Sequence, residues 1–267
     1  MWSSQTMNTS STAAICSKRV SRLRRRSTCA CSAGASRTAS CTAARSSAAI
    51  SWHSNSTNDS GCVGVHVLFA HGFESSPDGS KPTYMREELG WEVTTPVMSE
   101  LGWNIEQETE VLLRLIDEHD YDLVSGSSMG ALAAANASAS RPDLDLRLLL
   151  LAPAFGLADL WRSGAGKVGL AHWKSHGSVP HHHRGLDQEI ILGWDFIKAA
   201  DSMSWPELAH PTVIIHGLQD DIVPIENSRR VAAGSEHVVA LLEIEDGHRM
   251  QLAGPRFLEA AKLLGLM

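Results

Sequence analysis

From Gly61 onward the chain alternates short apolar runs with stretches of helical periodicity, and that alternation admits few folds. Strand–helix–strand repeats require a parallel sheet, because each crossover helix lays its apolar stripe back across the strands it connects. The first run, Val63 to Ala70, ends at His71-Gly72-Phe73. A turn-rich loop follows, Ser75-Ser76-Pro77-Asp78-Gly79, and then a helix reaching about Leu89. Glu92 to Pro96 makes a second strand, and Val111, Leu112, Leu115 and Ile116 recur at helical spacing inside an amphipathic crossover helix over 105–119. Tyr121 to Ser125 is the third strand, followed by an alanine-rich helix from Ala131 to Ala139. Leu146 to Leu151 reads as an apolar strand from the middle of a sheet buried on both faces. Thr212 to His216 and Val238 to Ile244 supply the last two strands, and residues 254–265 a closing helix. The expectation is an α/β fold, a mainly parallel sheet of about six strands with helices on both faces.

Between Pro153 and about Trp205 the alternation breaks down. This insert, about 154–205, holds Trp161, Trp173, Trp194 and Trp205 together with the run His181-His182-His183. It is expected to be a small cap over the carboxyl edge of the sheet, where ligands bind in open α/β folds. Its tryptophans read as packing residues and its histidine run as a solvated loop. Successive residues of an extended segment point different ways and cannot all reach one ion, so no metal is expected there.

Charge divides the chain sharply. No acidic residue precedes Asp59, whereas Lys18, Arg19, Arg22, Arg24, Arg25, Arg26, Arg37 and Arg45 all do. The remainder carries 15 basic residues against all 30 acidic ones, a net charge of −15. A body that acidic repels a phosphate backbone, which argues against nucleic acid as a partner. Residues 1–58 are rich in Ser, Thr, Ala and Arg and carry almost no periodic apolar pattern. Such a segment reads as a disordered organellar transit peptide rather than a secretory signal, with the folded α/β domain expected over 59–267. Its Ser/Thr/Ala content favours the chloroplast stroma over the mitochondrial matrix. Of the five cysteines, Cys16, Cys29, Cys31 and Cys41 lie in this leader and only Cys62 lies near the domain, so no disulfide framework is expected within it. No run approaches the ~18 apolar residues of a membrane span, and no integral membrane segment is expected.

Chemistry concentrates at the predicted strand ends. Gly126-Ser127-Ser128-Met129-Gly130 fits GxSxG between an apolar strand and a small-residue helix, with Ser128 in the nucleophile position and Ser127 the poorer fit. His216-Gly217-Leu218-Gln219-Asp220-Asp221-Ile222-Val223-Pro224 places an acid after a late strand, where it can orient a histidine. Asp220 is expected to take that part and Asp221 to hold the turn or cap the helix near Pro224. Asp246-Gly247-His248 follows the last strand, and His248 can accept and return a proton at neutral pH. At the end of the first strand, Gly72 leaves room for a substrate, so the backbone N–H of Phe73 can pair with that of Met129 in an oxyanion hole. His71 reads as structural. Gly79-Ser80-Lys81 lacks the spacing of a phosphate-binding loop.

These elements, in the order serine, acid, histidine, resemble the α/β-hydrolase superfamily over essentially all of residues 61–267. The segments 215–224 and Asp246-Gly-His-Arg-Met250 are similar to compact organellar acyl-protein thioesterases, the serine depalmitoylase branch. The segment from His71 to Lys81 resembles small bacterial esterases of unassigned substrate. Ala131-Leu132 departs from relatives that continue with Gly and an aromatic, which bears on acyl-chain preference. The resemblance implies a serine hydrolase acting on a small-molecule ester or acylated substrate, with Ser128, Asp220 and His248 as triad and no cofactor. A non-hydrolytic small-molecule-binding protein on the same fold, and a C–C bond hydrolase using the same triad, are the alternatives.

Overall fold

The computed structural model describes residues 64–267. The expected transit peptide, four of the five cysteines within it, Cys62 and the start of the first strand at Val63 all lie outside the described residues. In chain order the elements are β1 His66–Ala70, α1 Ser80–Glu87, β2 Glu92–Thr94, α2 Ile105–Glu118, β3 Leu123–Ser127, α3 Met129–Ala139 and β4 Leu148–Leu151. There follow α4 Leu157–His176, β5 Ser178–His183, β6 Gln188–Gly193, α5 Asp195–Met203, β7 Thr212–Gly217, α6 Ile225–Gly234, β8 Val238–Ile244 and α7 Phe257–Leu263.

Six strands form one sheet in the order β2-β1-β3-β4-β7-β8, and every pair in it is parallel. Strands buried on both faces feed two cores. Leu68, Val124, Leu148, Leu150 and Ile214 face one cluster together with residues of α2, α3 and α5. Val67, Phe69, Leu123, Leu149, Leu151, Val213 and Ile215 face the other, with Met85 of α1 and Phe257, Ala260 and Ala261 of α7. The alternation along the four inner strands is the two-residue period of a pleated sheet, so β1, β3, β4 and β7 each supply both layers. The chain steps from β1 out to β2 and then back across to β3, so the strand order reverses between β1 and β3. The carboxyl ends of those two strands form the crevice of an open α/β sheet.

Several boundaries differ from the sequence expectation for local reasons. The third strand begins at Leu123 and runs on to Ser127, because Gly126 and Ser127 pair with Leu150 and Leu151. Asp122 instead accepts the His66 N–H with its side chain (2.9 Å). α3 starts at Met129, two residues earlier than the alanine run. β4 starts at Leu148, because Arg147 interrupts the apolar run and sends its guanidinium to the Leu264 carbonyl (3.1 Å). The closing segment splits into a 3₁₀ turn, Gly254–Arg256, and α7. α2 carries a capping box: Asn104 accepts the Gln107 N–H (2.9 Å) while Gln107 accepts the Asn104 N–H (3.3 Å).

The insert between β4 and β7 has regular structure throughout much of its length. α4 is broken at Gly166 (φ 65°), β5 and β6 form an antiparallel hairpin, and α5 leads back toward β7. The histidine run therefore lies in a strand, not in a solvated loop. His183 is 1% exposed, and His181 reaches the carboxylate of Glu74 (2.8 Å). Trp173 is buried and donates its indole N–H to the Leu192 carbonyl (2.9 Å), and Trp161 and Trp194 pack against it. Trp205 is more open and lies under the Arg230 guanidinium, 4.2 Å from its ring. No helix among the described residues is long and apolar enough to cross a membrane.

One acidic residue is spent inside this fold. Glu108 lies on the buried face of α2, one of its carboxyl oxygens has no hydrogen-bond partner among the described residues, and burial pushes its carboxyl well above the ordinary value. Its folded value is raised, so the folded state holds a proton that the unfolded chain releases above about 4.3. Stability therefore falls as pH rises through that window. Glu108→Gln removes this loss. It is expected to raise the melting temperature at pH 8 by about 3–6 °C and to have a smaller effect at pH 4, read by calorimetry at both values.

Candidate active site

β3 ends at Ser127 and α3 starts at Met129, so Ser128 alone forms the turn between them. Ser128 has φ 56° and ψ −119°, a left-handed region that a residue with a side chain enters at a cost of about 1–3 kcal/mol. Backbone bonds hold it there. Its N–H donates to the Leu151 carbonyl (2.9 Å), and its own carbonyl accepts from Leu132 (3.1 Å) and Ala154 (3.1 Å). The two flanking glycines are required by close approach. A methyl group at Gly126 would lie 2.6 Å from the Gly130 carbonyl oxygen, and one at Gly130 would run into the carbonyls of Ala70 and His71. The result lifts the half-buried Ser128 hydroxyl above the carboxyl end of the sheet.

That hydroxyl meets a histidine and an acid from two other strand ends. Ser128 Oγ lies 3.0 Å from His248 Nε2, and His248 Nδ1 lies 2.8 Å from Asp220 Oδ2. With Nδ1–H donated to the carboxylate, Nε2 is free to accept from the serine. The Asp220 side chain is fully enclosed, and that of His248 is 16% exposed. The loop bearing His248 is fixed by Asp246, whose carboxylate accepts from Gly247 (2.8 Å) and Leu252 (2.6 Å).

The structure corrects one division of labour. Asp221 is exposed, and the turn is held by Asp220 itself, whose Oδ1 accepts the N–H groups of Ile222 (3.0 Å) and Val223 (2.8 Å). Its Oδ2 takes His248 and also His216 Nε2–H (3.1 Å). Burial alone would push the Asp220 carboxyl up. The bonds from His216 and His248, with the Val223 N–H, outweigh that and hold it well below the usual carboxylate range.

Two further residues have supporting parts that the sequence alone did not assign to them. His216 is wholly buried, donates Nε2–H to Asp220 and to the Val223 carbonyl (3.0 Å), and accepts the Ser228 hydroxyl at Nδ1 (2.7 Å). Only its place in the motif His216–Pro224 marked it. Lys81, from the segment rejected as a phosphate loop, donates to the Arg249 carbonyl (2.5 Å) and so braces the loop beside His248. Burial pushes its ammonium below the ordinary lysine value; nearby Asp246 opposes this, and Arg249 adds to it.

Gly72 and Phe73 stand directly beside the serine. A methyl group on Gly72 would sit 3.3 Å from Ser128 Cβ. The Phe73 N–H donates to no acceptor among the described residues, and Met129 opens α3, where the first N–H groups lack intrahelical acceptors. The Phe73 ring is anchored edge-on to Trp103, Trp161 and Phe196, with centroids 5.7–5.9 Å apart. Ala131 and Leu132, where the sequence departs from the resembled families, are wholly buried in the core beneath the turn. Among the described residues no group of three or more His, Cys, Asp or Glu is placed to hold a metal.

Solved structures share this architecture. Alpha/beta hydrolase domain-containing protein 10 from mouse is 21% identical with a TM-score of 0.59, over 75% of this chain and 88% of that one. A hydrolase from Agrobacterium vitis is 18% identical with a TM-score of 0.63, over 74% and 87%. Est1E from Butyrivibrio proteoclasticus, solved with ferulic acid bound, is 18% identical with a TM-score of 0.59, over 76% and 88%. At these identities the likeness establishes the α/β-hydrolase fold. No curated protein matches the sequence significantly. A family model, UPF0227, described as an uncharacterised protein family, matches residues 66–263. That span is most of the chain and contains every residue of the site described above, and the chain belongs to the UPF0227 family.

Proposed function

We propose that the protein is a serine hydrolase that cleaves a carboxylic ester or thioester through an acyl-enzyme on Ser128. The observation that carries this reading is the continuous relay Ser128–His248–Asp220, at 3.0 and 2.8 Å, with the serine held in a strained turn. His248 Nε2 takes the Ser128 proton as Oγ attacks the carbonyl carbon, and the carbonyl oxygen becomes an oxyanion facing the N–H groups of Phe73 and Met129. Collapse expels the alcohol or thiol, which receives that proton from His248. A water then gives its proton to His248 and attacks the acyl carbon; the second collapse breaks the Ser128 Oγ–carbon bond, His248 returns the proton to Oγ, and the acid leaves. Asp220 keeps its charge throughout and steadies the imidazolium that forms twice per cycle.

An esterase domain from Rhodothermus marinus shares this architecture, and Est1E was solved with ferulic acid, which supports the reading. The test is hydrolysis of p-nitrophenyl butyrate and of a short acyl thioester by the full chain, before and after a fluorophosphonate. Turnover that the fluorophosphonate abolishes is expected. A protein that hydrolyses neither substrate and takes no fluorophosphonate is a binding protein instead.

A further inference from the structure

The cap hairpin and the turn after β1 each send one buried histidine onto the two peptide groups that flank Phe73. His183 Nε2 bonds to the Phe73 carbonyl, while its Nδ1 lies 3.1 Å from the Leu186 N–H. His71 Nδ1 bonds to the Gly72 carbonyl (3.0 Å), while its Nε2 lies 3.3 Å from the Met98 N–H. A carbonyl can only accept and a backbone N–H can only donate, so these partners fix both tautomers. His183 is neutral with its proton on Nε2, and His71 is neutral with its proton on Nδ1. Both rings are more than nine-tenths buried. Burial pushes the His71 imidazole below the ordinary histidine value, and the bond to the Gly72 carbonyl opposes this.

The hairpin is docked on this loop at further points. Glu74 accepts the Arg184 N–H (2.6 Å) with one carboxylate oxygen and His181 Nε2–H (2.8 Å) with the other. At Gly185 a methyl group would lie 2.6 Å from the Glu74 carbonyl oxygen, so only glycine permits the approach. The Gly72 carbonyl also accepts the Ser75 N–H (3.0 Å). Both peptide planes around Phe73 are thus tied, and those two planes decide where the Phe73 N–H points.

We propose that His71 and His183 are positioning residues, a pair of neutral histidines of opposite tautomer that aim the Phe73 N–H at the substrate oxyanion, so that the cap hairpin is an integral part of the oxyanion hole. This inference rests on the hydrolase reading. Neither histidine touches substrate; each acts through a backbone carbonyl. A hydrogen bond made only in the transition state affects kcat and leaves KM nearly untouched.

The experiment compares His183→Leu with His183→Gln and His71→Leu with His71→Asn in the full chain. Gln and Asn each retain an N–H donor near the nitrogen being replaced. The leucine variants are expected to lose about 10- to 100-fold in kcat with KM within about twofold of wild type, and the amide variants to recover most of it. Affinity for a boronic acid that mimics the tetrahedral adduct should fall in parallel with kcat. Leucine variants that melt like wild type and keep its kcat overturn the clamp and leave the hydrolase reading intact. A wild-type protein without Ser128-dependent turnover overturns both. Nitrogen-15 imidazole spectra of the wild type decide the matter should the leucine variants fail to fold. Nε2–H on His183 and Nδ1–H on His71 are expected, and either opposite tautomer overturns the clamp.

Discussion

Alanine at Ser128, or at His248, is expected to lower kcat for a p-nitrophenyl ester by about 10⁶-fold, and combining the two substitutions should cost little more. Non-additivity follows from the relay acting as one unit: without the hydroxyl the imidazole has nothing to deprotonate, and without the imidazole the hydroxyl is a poor nucleophile. Melting temperatures should stay near wild type. The bonds that hold the turn at Ser128 are made by its backbone, to Leu151, Leu132 and Ala154, and survive loss of the side chain. His248 is partly open to solvent, so its truncation leaves a site that water can fill. Steady-state kinetics and calorimetry on the two single variants and the double variant check all of this together.

The second large effect is expected at Asp220. In Asp220→Asn the amide oxygen can still serve Ile222 and Val223, but its NH₂ group then faces the Nε2–H of His216 and the Nδ1–H of His248, donor against donor. His248 relieves that clash by moving its proton to Nε2, the nitrogen that must accept from Ser128. A fall in kcat of about 10³- to 10⁴-fold is expected. Folding should weaken as well, by about 3 kcal/mol at pH 7, because a buried charge-assisted network loses its centre. The pH dependence has a definite sign. The Asp220 carboxyl is held below its unfolded value of about 3.9, so its stabilisation is present above that value and fades as pH falls toward the folded one. Denaturant titrations should show the difference between wild type and variant at its full size at pH 6–7, and smaller at pH 3.

The fold was legible because its strands are short apolar runs between helices, a pattern local sequence can express. The six strands lie where the alternation put them, with edges moved by individual side chains such as Arg147. Ser128, His248 and Asp220 were legible because each follows a strand, and parallel strands carry their carboxyl ends to one side. What could not be read were contacts between segments far apart in the chain. The strand His181-His182-His183 pairs locally with Gln188–Ile190, but the side-chain bonds that dock it on Phe73 and Glu74, about 110 residues away, have no local signal. The same holds for Lys81 and the Arg249 carbonyl, 168 residues apart. Asp220 and Asp221 are adjacent and chemically alike, and only the direction of the turn after Gly217 sends one inward and the other to solvent.

An acyl-enzyme on Ser128 would be seen by intact and peptide mass spectrometry of the full chain quenched in acid during turnover of a slow p-nitrophenyl ester. A single added acyl group, mapped to Ser128, is expected, and none in Ser128→Ala. Turnover with no adduct, or an adduct on Ser127 or any other residue, would contradict it.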